Sequence, residues 1–367
     1  NLKGRFMDHL EGKRLSFRIK LLNDNEYILG MNRFSIHNPA TRNFMNEWLY
    51  HRMLTHLGLI ALYYDFVDLY INGEYIGIYA VEEFPNLNVA EKNQRRDGLI
   101  FSNPHSNSDG TLLKFYQRNK VNKKPFLSKT LNLFNSVYTQ YKNGNIKNES
   151  YYDYDKLAKY AAITELFGGG HGNLKGNFIT YFNPLTSKTE AIGYDSNSGD
   201  LLSKVALQIE PRASYFYKSS KFSKIYQDKY FFKRYLYYIM KFSQPDYFDV
   251  FFKGIKSDYN NNSLFLAKER PWQNPEPDYF FKNQKYVLNH FSNFVNNFND
   301  IKDSTVINVM NYHGIKPIDN ILDNTFSNNI MLQSSNLDKF PFIFFDNDSN
   351  NAVIKKGNYI ISSNLII

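Results

Sequence analysis

The chain has 367 residues, 44 Lys and Arg against 35 Asp and Glu, and no cysteine; its net charge is +9. A hydrophobic share of 43% supports a full-sized core and excludes global disorder, and the length fits one or two domains. Without cysteine there is no disulfide scaffold, no thiolate-held zinc or iron–sulfur cluster and no cysteine nucleophile.

No stretch approaches 18 apolar residues, so no transmembrane helix is expected. The polar start, Asn1 to Arg14, shows no signal peptide, and a chain that begins without Met reads as a fragment. The positive balance suits a polyanion such as a nucleotide, an acidic protein partner or a surface. The basic clusters Arg95–Arg96 and Lys120, Lys123 and Lys124 read as solvated loops, and no nucleic-acid partner is expected.

In chain order, Leu15–Leu21 alternates strictly, which predicts a half-buried strand with Arg18 and Lys20 on its polar face. Asn38-Pro39 gives an N-cap and a first-turn proline for a helix. Its apolar positions, Phe44, Met45, Trp48, Leu49, Met53 and Leu57, run to Gly58. Phe66–Ile71 and Tyr75–Val81 flank Asn72-Gly73, a strong hairpin signal. A strand is expected at Leu99–Phe101, followed by a Ser/Asn/Gly loop, and helices at about Phe126–Tyr141 and Asp153–Phe167. The second helix is halted by Gly168-Gly169-Gly170. Asn177–Phe182 and Thr189–Tyr194 read as a hairpin around Asn183-Pro184, and residues 226–298 read as helical with aromatic stripes. Beyond Asp338 the chain turns β-rich. The order predicts an α+β protein of two lobes: a β-rich N-lobe over residues 1–103, a mostly helical C-lobe over 104–337, and a β-rich segment over 338–367. That last segment is either the start of a solenoid-like domain or a final hairpin. A ligand site is expected in the cleft between the lobes.

Three patches carry the candidate chemistry. Arg18 and Lys20 on one strand face, followed by a helix bearing Glu47, match the way a strand cation and a helix carboxylate hold nucleotide phosphates; a solvated strand face is the plainer reading. The strand ending in Glu82-Glu83 leads into a linker that could present backbone groups to a purine, or is a solvated exit. The glycine turn Gly168–Gly172 with His171, then Asn177 and Asp195 at adjoining hairpin ends, supplies close backbone approach and hard oxygen donors suited to Mg²⁺. A structural turn is an equal alternative.

These segments resemble the CotH (spore coat protein H) kinase-like family. The resemblance runs over roughly residues 2–200. It includes Ser16-Phe17-Arg18-Ile19-Lys20-Leu21, Phe34–Asn43 with Glu47-Trp48, Tyr70–Glu83 with its Asn-Gly hairpin, and Thr164–Gly168 through Asn177 to Asp195. It implies an atypical protein-kinase-like fold and a transferase using ATP with Mg²⁺ or Mn²⁺ on a protein acceptor. It also implies an extracytoplasmic, cell-surface or spore-coat setting. Carried over, Lys20 is the phosphate-binding lysine, with Arg18 on the same face able to replace it, and Glu47 is its helix partner. Glu82 or Glu83 lies at the linker, Asn177 is the catalytic-loop metal ligand and Asp195 the metal aspartate. Asp200 is a further candidate ligand. One departure stands out: the family's catalytic-loop aspartate has no counterpart, since Leu166–Gly176 contains no Asp or Glu. His171, six before Asn177, is the candidate base, with a rate expected to fall below about pH 6.5; otherwise it shapes the turn. The departure leaves three outcomes open: a slow kinase, a transferase of AMP or of amino acids, or a pseudokinase acting as an assembly or binding module.

Overall fold

A computed structural model describes residues 14–296, apart from 24–25, 103–112, 117–120, 122, 174–176, 197–224, 227 and 273–277. The expected β-rich segment over 338–367 and the candidate Asp200 lie outside the described residues.

Two four-stranded antiparallel sheets and a set of helices form an α+β, two-lobed fold. The first sheet has the order β1-β2-β4-β3, from β1 (Phe17–Lys20), β2 (Arg33–His37), β3 (Tyr64–Ile71) and β4 (Glu74–Glu83). Its hairpin turns at Asn72 and Gly73, both with positive φ (53° and 85°), the geometry that follows the right-handed strand twist. Directly paired residues point to the same face. Arg18 lies opposite Ser35, Ser35 opposite Glu82, and Glu82 opposite Tyr64, so these four form one row across the sheet. Phe34, Ile36, Tyr79 and Val81 fill the other face, with Phe17 and Ile19 packed on them. The period-2 reading of β1 therefore assigns its two faces as observed.

The Asn38-Pro39 signal opens a different element from the one expected. Asn38 caps a 3₁₀ turn over Pro39–Arg42, accepting from the Ala40 amide at 3.1 Å. Asn43 (φ 48°) and Phe44 (φ 53°) then break the helical path, and α1 runs from Met45 to His56. Phe44, with ψ −108°, sits in a sparsely populated backbone region that costs on the order of 1–3 kcal/mol. The break reorients the chain so that buried Arg42 and fully buried Glu47 both face inward.

The second sheet has the order β6-β5-β7-β8, from β5 (Leu99–Ser102), β6 (Lys114–Phe115), β7 (Ile179–Asn183) and β8 (Lys188–Ile192). β5 thus pairs with the β7–β8 hairpin from across the expected lobe boundary. A short helix that the sequence reading left out, α2 (Leu87–Lys92), joins the sheets. Helices α3 (Pro125–Lys142), α4 (Asn148–Tyr151) and α5 (Tyr154–Leu166) follow. Asp153 caps α5 by accepting from the Lys156 amide. α6 (Lys229–Ser243), α7 (Asp249–Ala267) and α8 (Asp278–Asn296) complete the described helices. One aromatic-rich core joins α1 to the C-terminal helices: Trp48 meets Tyr259 edge-on, and the Tyr50 hydroxyl bonds Thr164 Oγ1 at 2.8 Å. Among the described residues no helix is long and apolar enough to cross a membrane.

Candidate functional site

The site forms where the polar face of the first sheet meets the segments that leave β6 and β8. Asp195 sits just past β8 with φ 55°, a left-handed conformation that aspartate tolerates better than most residues. Its Oδ1 lies 2.7 Å from Arg42 Nη2. Burial works against the charge on Arg42, but Asp195, Glu82 and Glu47 outweigh it and raise the guanidinium pKa above its already high value. Asp195 pairs with Arg42 directly, and the charges of Glu82 and Glu47 reach it electrostatically.

Glu47 binds the same segment from α1. It accepts from the Ser196 amide at 3.2 Å and from Ser196 Oγ at 3.0 Å. Burial favours its protonation, yet the hydrogen bond and charge of His51, 3.5 Å away, together with Arg42, hold its carboxyl below the ordinary range. α1 and the strand-end segment are thus joined through this carboxylate.

His171 occupies the glycine turn, which tightens into a 3₁₀ turn over Gly170–Asn173. A Cβ on Gly172 would stand 2.8 Å from the Tyr194 carbonyl, so glycine is what lets the turn lie against the β8 exit. His171 Nδ1 is 3.5 Å from Asp195 Oδ2, and Asn177 Nδ2 lies 3.3 Å from that same ring nitrogen. The Asp195 carboxylate raises the His171 pKa, burial opposing it. The imidazole therefore takes up its proton at a higher pH than the 6.5 expected from the sequence. Asn173, in the same turn, is fully buried, and its amide has no hydrogen-bond partner among the described residues. Such an amide costs about 1–3 kcal/mol and is usual where a ligand or water completes a site.

Among the described residues no three His, Asp or Glu side chains gather into a metal cage. Mg²⁺ does not require one: it takes one or two protein oxygens and fills its octahedron with waters and substrate phosphates. Asp195 and Asn177, converging on His171 beside an unpartnered Asn173 amide, fit that use. Arg42 holds Asp195 Oδ1, and His171 approaches Oδ2. Mn²⁺ suits the same donors.

The remaining candidates separate by face. Glu82 is buried on the polar sheet face, where its charge reaches Arg42 and helps raise the Tyr194 pKa. Glu83 points the other way and is tied into the fold: it accepts from the Tyr63 amide at 3.0 Å and from Lys92 Nζ at 2.8 Å. Arg18 shares the face of Glu82, half-buried, 5.4 Å from the centroid of the Phe84 ring. Lys20 is exposed at the end of β1, opposite Arg33. The structure brings Glu47 to Arg42, Asp195 and Ser196 rather than to Lys20, so the strand-lysine and helix-glutamate pair implied by the resemblance is not the pair seen. Arg42 is the site residue that the sequence reading missed. Its only signal was its place in the Asn38–Asn43 segment.

Buried Glu47 on α1 is thus bound to Ser196, next to Asp195, beneath a small antiparallel sheet. The family model for CotH kinase protein matches residues 2–244, and the chain belongs to that family. No curated protein matches the chain.

Proposed function

We propose that this domain binds ATP with Mg²⁺ or Mn²⁺ and transfers a group from the nucleotide to a protein acceptor. The observation that carries the reading is the convergence of Asp195, Asn177 and His171 on one point beside the polar face that holds Arg18 and Glu82. Asp195 and Asn177 would hold the metal, which when bound neutralises phosphate charge. Arg42 fixes the Asp195 carboxylate, and Glu47 fixes the Ser196 segment. For phosphoryl transfer, an acceptor oxygen forms a bond to the γ-phosphorus as the bond to the β,γ-bridging oxygen breaks. ADP leaves, and the acceptor proton passes to His171 in its neutral form.

The domain limits we propose are an N-lobe to about residue 103, a C-lobe to about 337 and a further β-rich segment beyond. The proposed setting is a spore coat or cell surface. The test is incubation with γ- or α-labelled ATP and Mg²⁺, followed by a search for labelled protein. γ-Label alone means phosphoryl transfer, and α-label means AMP transfer. His171→Ala is expected to slow the chemical step by about 10²–10⁴-fold while nucleotide affinity is retained; an unchanged rate makes the histidine structural. One observation favours a second reading, an assembly module that binds nucleotide without turnover: no carboxylate occupies Leu166–Gly176. Nucleotide binding with neither label transferred and no ATP consumed supports it; ATP consumption without label transfer points to transfer of another group, such as an amino acid.

A further inference from the structure

Glu47 is the carboxylate through which α1 holds the segment after β8, and it has a neighbour whose ring is fixed by three contacts. His51 lies one turn further along α1 and is buried, with 3% of its surface exposed. Its Nδ1 accepts from the Leu62 amide at 3.1 Å, and its Nε2 stands 3.5 Å from Glu47 Oε1. Tyr64 on β3 stacks on the imidazole, with centroids 5.9 Å and planes 22° apart. The Tyr64 hydroxyl is itself paired with His37 Nε2 at 3.2 Å.

The Leu62 contact assigns the ring hydrogen. A nitrogen that accepts an N–H bond presents its lone pair, so the one N–H of a neutral imidazole here is on Nε2. Protonation of the ring would add a hydrogen to Nδ1 and leave the one on Nε2. In either charge state Nε2 therefore faces Glu47 as a donor. The same Glu47 Oε1 takes the Ser196 amide at 3.2 Å, and Oε2 takes Ser196 Oγ at 3.0 Å. A line of contacts thus runs from Leu62 through His51 and Glu47 to Ser196. It ends one residue from Asp195, whose Oδ1 Arg42 holds and whose Oδ2 His171 approaches. A side chain that served only the Leu62 amide would need one short acceptor. The imidazole has a second arm, and the i, i+4 spacing on α1 brings it to the carboxylate.

We propose that His51 is a positioning residue: its Nε2–H fixes the Glu47 carboxylate, Glu47 fixes Ser196, and the chain so held sets where Asp195 stands for a metal-bound nucleotide. His51 touches neither nucleotide nor metal and acts through Glu47. This rests on the nucleotide reading above.

Two substitutions separate the two arms of the ring. Asparagine places its amide oxygen near the position of Nδ1, so His51→Asn keeps the Leu62 contact and loses the Glu47 contact. Glutamine reaches the position of Nε2, so His51→Gln does the reverse. In the full chain, amide hydrogen exchange at Ser196 and Leu62, read by NMR, reports the contacts without nucleotide, and calorimetric titration with MgATP reports the function. His51→Asn is expected to speed Ser196 exchange by about 10-fold and to weaken MgATP by about 5-fold or more, with Leu62 exchange unchanged. His51→Gln is expected to speed Leu62 exchange and to keep MgATP affinity within about 2-fold of wild type. Unchanged Ser196 exchange in His51→Asn overturns the link from His51 to Ser196. Faster Ser196 exchange with unchanged MgATP affinity overturns the positioning role and leaves the contact structural, while the nucleotide reading stands. If wild type binds no MgATP, the nucleotide reading falls and the positioning role falls with it. Wild type alone supplies one further check, which holds even where a variant fails to fold: imidazole ¹H–¹⁵N spectra should show His51 with its hydrogen on Nε2, and a hydrogen on Nδ1 alone overturns the proposal.

Discussion

Two buried charge networks are built differently in this molecule. Around Glu190 on β8, one carboxylate is shared by two cations: Arg95 Nη2 at 2.9 Å and Lys156 Nζ at 3.0 Å, with Asn183 Nδ2 at 3.1 Å. Around Arg42, one guanidinium pairs with Asp195 at 2.7 Å and lies within electrostatic reach of Glu82 and Glu47. The first network is closed: its carboxylate is saturated, and it joins α5, β7, β8 and the loop after α2. The second gathers the charges of Asp195, Glu82 and Glu47 around Arg42 and places beside Asp195 an imidazole, His171, whose pKa that carboxylate raises. The Glu190 network therefore reads as a structural tie, and the Arg42 network, which reaches the glycine turn through Asp195 and His171, as the candidate site.

The largest test of that contrast removes the shared cation. Arg42→Met removes the guanidinium paired with buried Asp195, and a stability loss of about 3–5 kcal/mol is expected by denaturant titration. A loss under about 1 kcal/mol would mean that the carboxylates are solvated and that the network is not the electrostatic centre described here.

Glu190→Gln comes next, with an expected loss of about 2 kcal/mol and no change in ATP affinity. The same residue sets a pH dependence. Burial would raise the Glu190 pKa, but Arg95, with Lys156 and Asn183, outweighs it and holds the carboxyl below 4.5. Its stabilising contribution is complete above about pH 4.5 and is lost as pH falls through the lower folded value. Acid unfolding of Glu190→Gln should therefore be shallower than that of wild type. Equal acid slopes would remove Glu190 from the account of acid stability.

The smallest effect expected is at Ser196→Ala, about 1 kcal/mol from the loss of one hydroxyl bond to Glu47, since the backbone amide bond persists. The informative readout is whether ATP affinity falls with it. A fall shows that α1 positions the Asp195 segment through Glu47; unchanged affinity leaves that contact purely structural.

The sequence was most legible where structure is local. Asn72-Gly73 marked its hairpin because two successive positive φ angles leave few residue choices. Asp153 and Gly168 bracketed α5 through cap chemistry, and strict alternation assigned the faces of β1. The glycine turn, Asn177 and Asp195 could be singled out because each residue type suggests its own chemistry. What was illegible depended on partners distant in the chain. Phe34 and Ile36 alternate with polar residues in β2, but five residues between loops give a weak period, and the strand shows only once β1 and β4 flank it. Arg42 gives no local signal that it is buried, because the carboxylates that justify its burial come from α1, β4 and the end of β8. The break at Asn43–Phe44 was hidden by a good N-cap, which serves a 3₁₀ turn as well as an α-helix.

The central proposal is that Asp195, held by Arg42 beside Asn177 and His171, accepts a metal carrying a nucleotide. It is tested most directly by calorimetric titration of ATP into wild type and Asp195→Asn, each with and without Mg²⁺. Asparagine keeps the shape and one oxygen donor while removing the charge. The account predicts that Mg²⁺ strengthens ATP binding to wild type by at least about 10-fold and that Asp195→Asn loses this enhancement while staying folded. ATP binding to wild type that is indifferent to Mg²⁺, or a Mg²⁺ enhancement that survives in Asp195→Asn, would contradict it.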